Sequence, residues 1–144
     1  MHTLLKTSVL AATTGVLMLS CSSAKEMTAE SLNGEWNVIQ IEAQKITPAE
    51  NTPVVGWNFA ENCLYGSTGC NRIMGQVTFD DLIDGKADFT KVATTMMACP
   101  DNKFERPFLN ALNKVKKAAQ AKNKVKLLDA DGQTVLVLAP RDGK

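Results

Sequence analysis

Four cysteines carry the most versatile chemistry in this sequence: Cys21, Cys63, Cys70 and Cys99. A cysteine sulfur can attack a carbonyl, ligate a metal, accept a lipid or close a disulfide, and its neighbours decide which. Nucleophilic attack needs a base, and here the usual base is missing. The one histidine, His2, sits at the start of an N-terminal leader. Without an imidazole, Ser-His-Asp and Cys-His machinery as usually built is excluded, and the commonest zinc ligand is gone. The cysteines show no CxxC spacing, which argues against a three-thiolate metal site. Hydrolysis by carboxylates alone is the chemistry left in principle. The expectation is a chain that is not an enzyme and carries no metal or cofactor.

Cys21 belongs to the leader. Lys6 supplies a positive start, Val9 to Leu19 is apolar apart from Thr and Gly, and the small Ser20 precedes the cysteine. The run is too short to span a bilayer, which takes about 20 apolar residues. Leu17-Met18-Leu19-Ser20-Cys21 resembles a lipobox, with Met18 where Leu is usual. It implies cleavage before Cys21, a diacylglycerol on its sulfur and a further acyl chain on the new amino group, since stable anchoring takes more than one chain. An ordinary signal peptide or a short uncleaved anchor is the alternative. Ser22 follows instead of the Asp that signals inner-membrane retention in enteric bacteria. The expected location is the cell envelope: the outer membrane facing the periplasm, or the surface.

Three cysteines remain, an odd number for an exported protein, so one thiol is free or bonds between molecules. Cys63 and Cys70 read as lying on one strand, where seven residues span roughly 23 Å; a disulfide needs Cα atoms within about 7 Å. Cys70–Cys99 is therefore the favoured pair, with Cys63 as the free thiol. Cys63–Cys99 is the runner-up, and three reduced buried thiols the third option. Closing a loop of about 30 residues stabilises by about 3–4 kcal/mol on the chain-entropy model.

Other constellations are weaker. Asp80, Asp84 and Gly85 echo a calcium loop, but Leu82 and Lys91 stand where ligands belong; a solvated acidic turn is expected. Asn71 and Arg72 could line a ligand pocket, but the plainer reading has Asn71 in a turn and Arg72 paired with a carboxylate to lock the corner. Met74, Met96 and Met97 could touch an acyl chain or a metal; filling the core is their ordinary role and the one expected. Lys103, Arg106, Lys114 and Lys117 are the main members of a basic stretch on and after a helix. They are a candidate face for anionic headgroups or an acidic partner, with a solvated helix face as the alternative.

The elements that would position these groups follow from periodicity. Glu35 to Glu42 alternates, with Trp36, Val38 and Ile41 on one face. Val54 to Phe59, Cys63 to Cys70, Met74 to Phe79 and Lys86 to Ala93 read as further strands, the last two joined by the acidic turn Asp80–Gly85. Phe104, Phe108, Leu112 and Val115 repeat at helical spacing. Asp101 or Asn102 can cap this helix, Pro107 falls in its first turns, and it is expected to end between Lys117 and Ala121. Lys124 to Leu128 and Thr134 to Leu138 flank a Gly132 hairpin turn. The result is a mainly β fold of the α+β type. It has a single antiparallel, strongly curved sheet or partly open barrel of about seven strands, with one α-helix between strands five and six. The expected division is leader 1–20, lipidated tether 21–30, one domain 31–140 and tail 141–144.

Composition agrees with one small domain and points to no nucleic acid, because the net charge is only +1. With 6% aromatic residues and one tyrosine, a carbohydrate or base-stacking platform is not expected. Four blocks then identify a likeness. Gly69-Cys70-Asn71-Arg72 with Gly75, followed by Thr95-Met96-Met97-Ala98-Cys99-Pro100, Phe108-Leu109-Asn110-Ala111-Leu112 and the hairpin Leu127–Gly132, resembles the META domain of the HslJ-like exported bacterial proteins. The resemblance covers about residues 31–139, and Cys63 lies outside its blocks. It implies a compact antiparallel β domain with one helix, often behind a lipobox, and members linked to stress response and envelope or antibiotic tolerance. It supplies no catalytic residues. The function expected is a lipid-anchored binding or scaffolding module, whose partners are the membrane through Cys21 and an envelope protein or a lipid. The alternatives are a protease inhibitor acting through a loop such as Ile46–Val55, and a carrier or pilot that holds a lipid tail. The oligomeric state is left open.

Overall fold

The computed structural model describes residues 27–141. The leader, Cys21, the first part of the tether and the last three residues lie outside them. In chain order the elements are α1 (Ala29–Leu32), β1 (Gly34–Ile41), β2 (Gln44–Lys45), β3 (Val54–Asn58), β4 (Cys63–Ser67), β5 (Arg72–Gln76) and α2 (Phe79–Ile83). Then come β6 (Ala93–Thr94), α3 (Glu105–Lys114), β7 (Lys117–Ala121), β8 (Lys124–Leu128) and β9 (Thr134–Pro140).

Short polar turns between alternating runs dictate antiparallel pairing, and every strand pair is antiparallel. The sheet has nine strands in the order β6-β5-β4-β3-β1-β9-β8-β7, with β2 appended to β1. It stays open, so β6 and β7 are its two ends. Trp36, Val38 and Ile41 all point into the core. Strict alternation would turn Ile41 outward. A register irregularity between Val38 and Gln40 resets the phase and brings it in.

The helix stripe packs onto the inner face of the sheet: Phe108, Ala111, Leu112 and Val115 are buried. They join Trp57, Leu64, Phe89 and Leu136 in one core. Pro107 occupies the third position of α3, inside the first turn, where its missing N–H has no helical acceptor to lose.

Four local expectations are corrected. First, Asp80–Gly85 is not a plain turn. Thr78 accepts from Asp81 N and starts the short helix α2, whose Leu82 is buried. Second, Lys86–Ala93 is not a continuous strand. Ala87 and Phe89 do reach the core, but Asp88 accepts from Thr90 N (3.0 Å) and Thr90 Oγ1 (2.7 Å), and that local bonding bends the chain. Only Lys86 makes a bridge, to Lys117, and pairing resumes at Ala93. Third, α3 ends at Lys114. Val115 turns extended and Lys117–Ala121 pairs with β8 from Lys117↔Leu128 to Ala121↔Lys124. Ala, Gln and Lys favour helix, and the ladder with β8 overrides that preference. Fourth, neither Asp101 nor Asn102 caps α3 with a side chain; Phe104 holds the N-cap position without one.

Candidate functional site

The corner between β4 and β5 is where the distinctive residues meet. Thr68 builds it. Its hydroxyl accepts from Cys70 N (3.2 Å) and Asn71 N (2.8 Å), while its own N–H donates to Asn71 O (2.8 Å). Gly69 must be glycine there. Its φ is +94°, and a Cβ would collide with the Asn51 carbonyl. The corner presents Cys70 to Cys99 with Cα atoms 5.9 Å apart, and the two form the disulfide. Cys63 is a free, half-buried thiol. It lines an open groove of about 570 Å³ with Glu61, Met74, Gln76 and Asp88.

Asn71 is buried and its amide is fully used. Nδ2 donates to Glu105 Oε2 (2.8 Å) and to Met97 O (3.2 Å). Oδ1 accepts from Met97 N (2.6 Å) and Thr95 Oγ1 (3.0 Å). Two donors and two acceptor positions are the whole capacity of an Asn side chain. One side chain therefore holds the segment after β6 as a neighbouring strand's backbone would. Glu105, in the first turn of α3, also accepts from Thr68 Oγ1 (2.6 Å). The Thr68 and Asn71 hydrogen bonds, in that order, hold its carboxyl below the usual carboxylate range.

Sequence reasoning placed Asn71 in a turn and gave Arg72 a carboxylate. The first is incomplete and the second is corrected: among the described residues Arg72 is exposed and no carboxylate lies within ion-pair distance of it. The carboxylate belongs to Asn71 instead. Thr68, Thr95 and Glu105 were missed as parts of the corner. The signal available was the run Ser67-Thr68-Gly69, typical of side chains that bond nearby backbone. Nothing in the sequence spacing announces Glu105.

The methionines overturn their expected role. Met74 is 68% exposed, Met96 95% and Met97 57%, so none of the three fills the core. Residues at strand β5 and at the following segment are inside only on one side of the sheet, and these project elsewhere. With Tyr65, Arg72 and Cys70, Met74 and Met97 line a second open groove of about 600 Å³ on the outer face of β3–β5. Tyr65 lies flat over Gly56, where a Cβ would strike its ring. Burial first, then the negative charge of Glu35, raises its phenol. Gly75 has no room for a side chain because Val92 packs over it. Ala98 and Pro100 are exposed on either side of Cys99.

The basic residues are not gathered on one helix. Lys103 precedes α3 and sits 5.0 Å from the centre of the Phe104 ring. Arg106 and Lys114 are at opposite ends of α3, and Lys114 pairs with Glu42 at 2.6 Å. Lys117 lies on β7 and donates to Ala130 O. The Ile46–Val55 loop is exposed only over residues 47–50; Ile46 and Thr52 are buried, and Thr52 makes three hydrogen bonds with Ala49, two of them through its hydroxyl. It is pinned rather than protruding. Among the described residues no group of three or more His, Cys, Asp or Glu could hold a metal ion, and no helix is long and apolar enough to cross a membrane.

Two solved structures share this fold. A protein determined by NMR is 21% identical, with 78% of this chain and 94% of that one covered at a TM-score of 0.58. A DUF4847 family protein from Bacteroides vulgatus, solved by crystallography, is 16% identical, with 81% and 99% covered at a TM-score of 0.54. No curated protein matches the chain. The META domain profile matches residues 25–142, most of the chain. The open antiparallel sheet, the stapled corner and that match together place the chain in the META domain family.

Proposed function

We propose that the chain is a lipid-anchored protein of the cell envelope whose META domain is a non-enzymatic binding module, working through the stapled corner. One observation carries this reading: three large apolar side chains, Met74, Met96 and Met97, stand exposed beside a corner that the disulfide and Asn71 hold rigid. Met74 and Met97 line one groove, and Met96 stands 95% exposed beside it; exposed apolar surface marks interaction sites, and methionine adapts to varied partners. A rigid frame lowers the ordering cost of binding. The lipobox-like run ending at Cys21 supports attachment to the membrane, and the family likeness supports a role in envelope stress.

In-cell cross-linking of the full chain tests the binding role. Wild type should capture a protein or lipid partner that the Met96→Lys/Met97→Lys variant does not. Equal capture by both, from a variant with an unchanged melting curve, would end the assignment to this corner.

A further inference from the structure

We infer that the occupant of this corner is a second copy of the chain, paired edge to edge and antiparallel about a two-fold axis through Thr95. The inference rests on the corner being the binding surface and names what binds there.

The backbone register sets the geometry. Ile73 pairs with Thr94 and Met74 with Ala93, and Thr95 N donates to Arg72 O at 3.0 Å. Hydrogen-bonding direction alternates along a strand. Thr95 bonds inward to β5, so the N–H and C=O of Thr94 and Met96 face outward. Met97 turns inward again, where the Asn71 amide takes both its N–H and its C=O. Residues 93–98 are all exposed, so nothing among the described residues covers this edge.

Sheet edges are normally guarded by charge, proline or a covering segment. The other edge, β7, is guarded. It carries Lys117, and the segment after α2 lies along it, with Ala118 N donating to Gly85 O and Ala87 N to Lys116 O. Of the devices that guard edges, β6 has only its shortness, Ala93–Thr94. Val92 to Cys99 contains no charge and no proline, in a chain with 16 basic and 15 acidic residues.

That neutrality favours a copy of itself over a charged strand. A charged partner would find no opposite charge to meet, whereas self-pairing opposes no like charges. Centring on Thr95 sets Thr94 against Met96 of the other copy and the reverse, so the outward groups of both residues satisfy one another in an isologous contact. Met96 of each copy then packs against Thr94 of the other and lies diagonally across the axis from the other Met96, on one face of the joined sheet.

Two measurements on the full mature chain in detergent test this. Thr94→Cys and Met96→Cys chains, each in a Cys63→Ser background, are mixed under mild oxidation. A Thr94–Met96 cross-link between different chains should dominate over Ala121→Cys at the guarded edge by at least tenfold. Sedimentation equilibrium should show a dimer that Met96→Lys weakens by at least tenfold. A wild-type monomer at all concentrations, or a dimer untouched by Met96→Lys, overturns self-pairing. If that monomer still captures another molecule in cells through Met96 and Met97, the binding role of the corner stands and only the identity of the occupant falls.

Discussion

Asn71 shows how much one amide can hold. Its four bonds join the corner before β5, the segment after β6 and the first turn of α3, pieces separated by 24 to 34 positions in the chain. Asn71→Ala leaves the Met97 backbone and Glu105 without these partners, and should cost about 2–4 kcal/mol in urea unfolding. Asn71→Asp separates shape from chemistry. It keeps the volume and the acceptor for Met97 N, but sets a carboxylate against Glu105. It should be as damaging as Ala at pH 7 and should recover relative to Ala near pH 4, where one carboxyl takes a proton. Equal pH profiles for the two variants would argue against that contact. The native chain has its own acid dependence. Asp88 is lowered to about 2, first by its Thr90 hydrogen bonds and then by Lys116, and Glu105 is lowered by Thr68 and Asn71. A carboxyl depressed in the folded state stabilises above its unfolded pKa, and that contribution fades as pH falls toward the folded one. Stability should therefore decline from about pH 4 toward pH 2. Thr90→Val should flatten the Asp88 part of that slope, modestly because the pair is exposed.

The disulfide joins two elements that the ladder alone holds weakly, since β6 is only Ala93–Thr94. Reduction, or Cys70→Ala/Cys99→Ala, should lower stability by about 3–4 kcal/mol on the chain-entropy model. Thiol titration of the unfolded, unreduced mature chain should count one reactive thiol, Cys63. Gly69→Ala should cost about 1–3 kcal/mol, because its left-handed backbone and the Asn51 carbonyl both oppose a Cβ. These elements also show what the sequence could tell. The strands with one buried face, the helix stripe from Phe108 to Val115 and the Gly69 corner were legible because period and turn chemistry are local properties. The short helix α2 and strand β7 were not. α2 is set by one Thr78 cap. β7 is a helix-prone Lys-Ala-Ala-Gln-Ala run that becomes a strand only because β8 pairs with it. The methionines misled for a related reason: apolar character says a side chain gains by burial, and only the sheet's limits decide whether a neighbour exists to bury it. Glu105 was invisible because its partner lies 34 positions away.

At the scale of the whole molecule, two ways of holding a membrane compete, and the charges separate them. The chain's net charge is +1, and its basic residues are dispersed. Lys114 is taken by Glu42 and Lys116 by Asp88. Attraction to an anionic leaflet is worth about 1 kcal/mol for each basic residue close to the surface and is screened by salt. Lys103 and Arg106 by themselves would give a weak, salt-sensitive contact. Two or three acyl chains on Cys21 would hold firmly and ignore salt. Fatty-acid labelling in cells should therefore mark the wild-type chain and not Cys21→Ala. Cys21→Ala should also leave the membrane fraction at low salt. Lys103→Ala/Arg106→Ala should stay there through a high-salt wash. A Cys21→Ala protein that remains on the membrane until salt removes it would reverse the order of the two forces, and would make the basic residues the anchor.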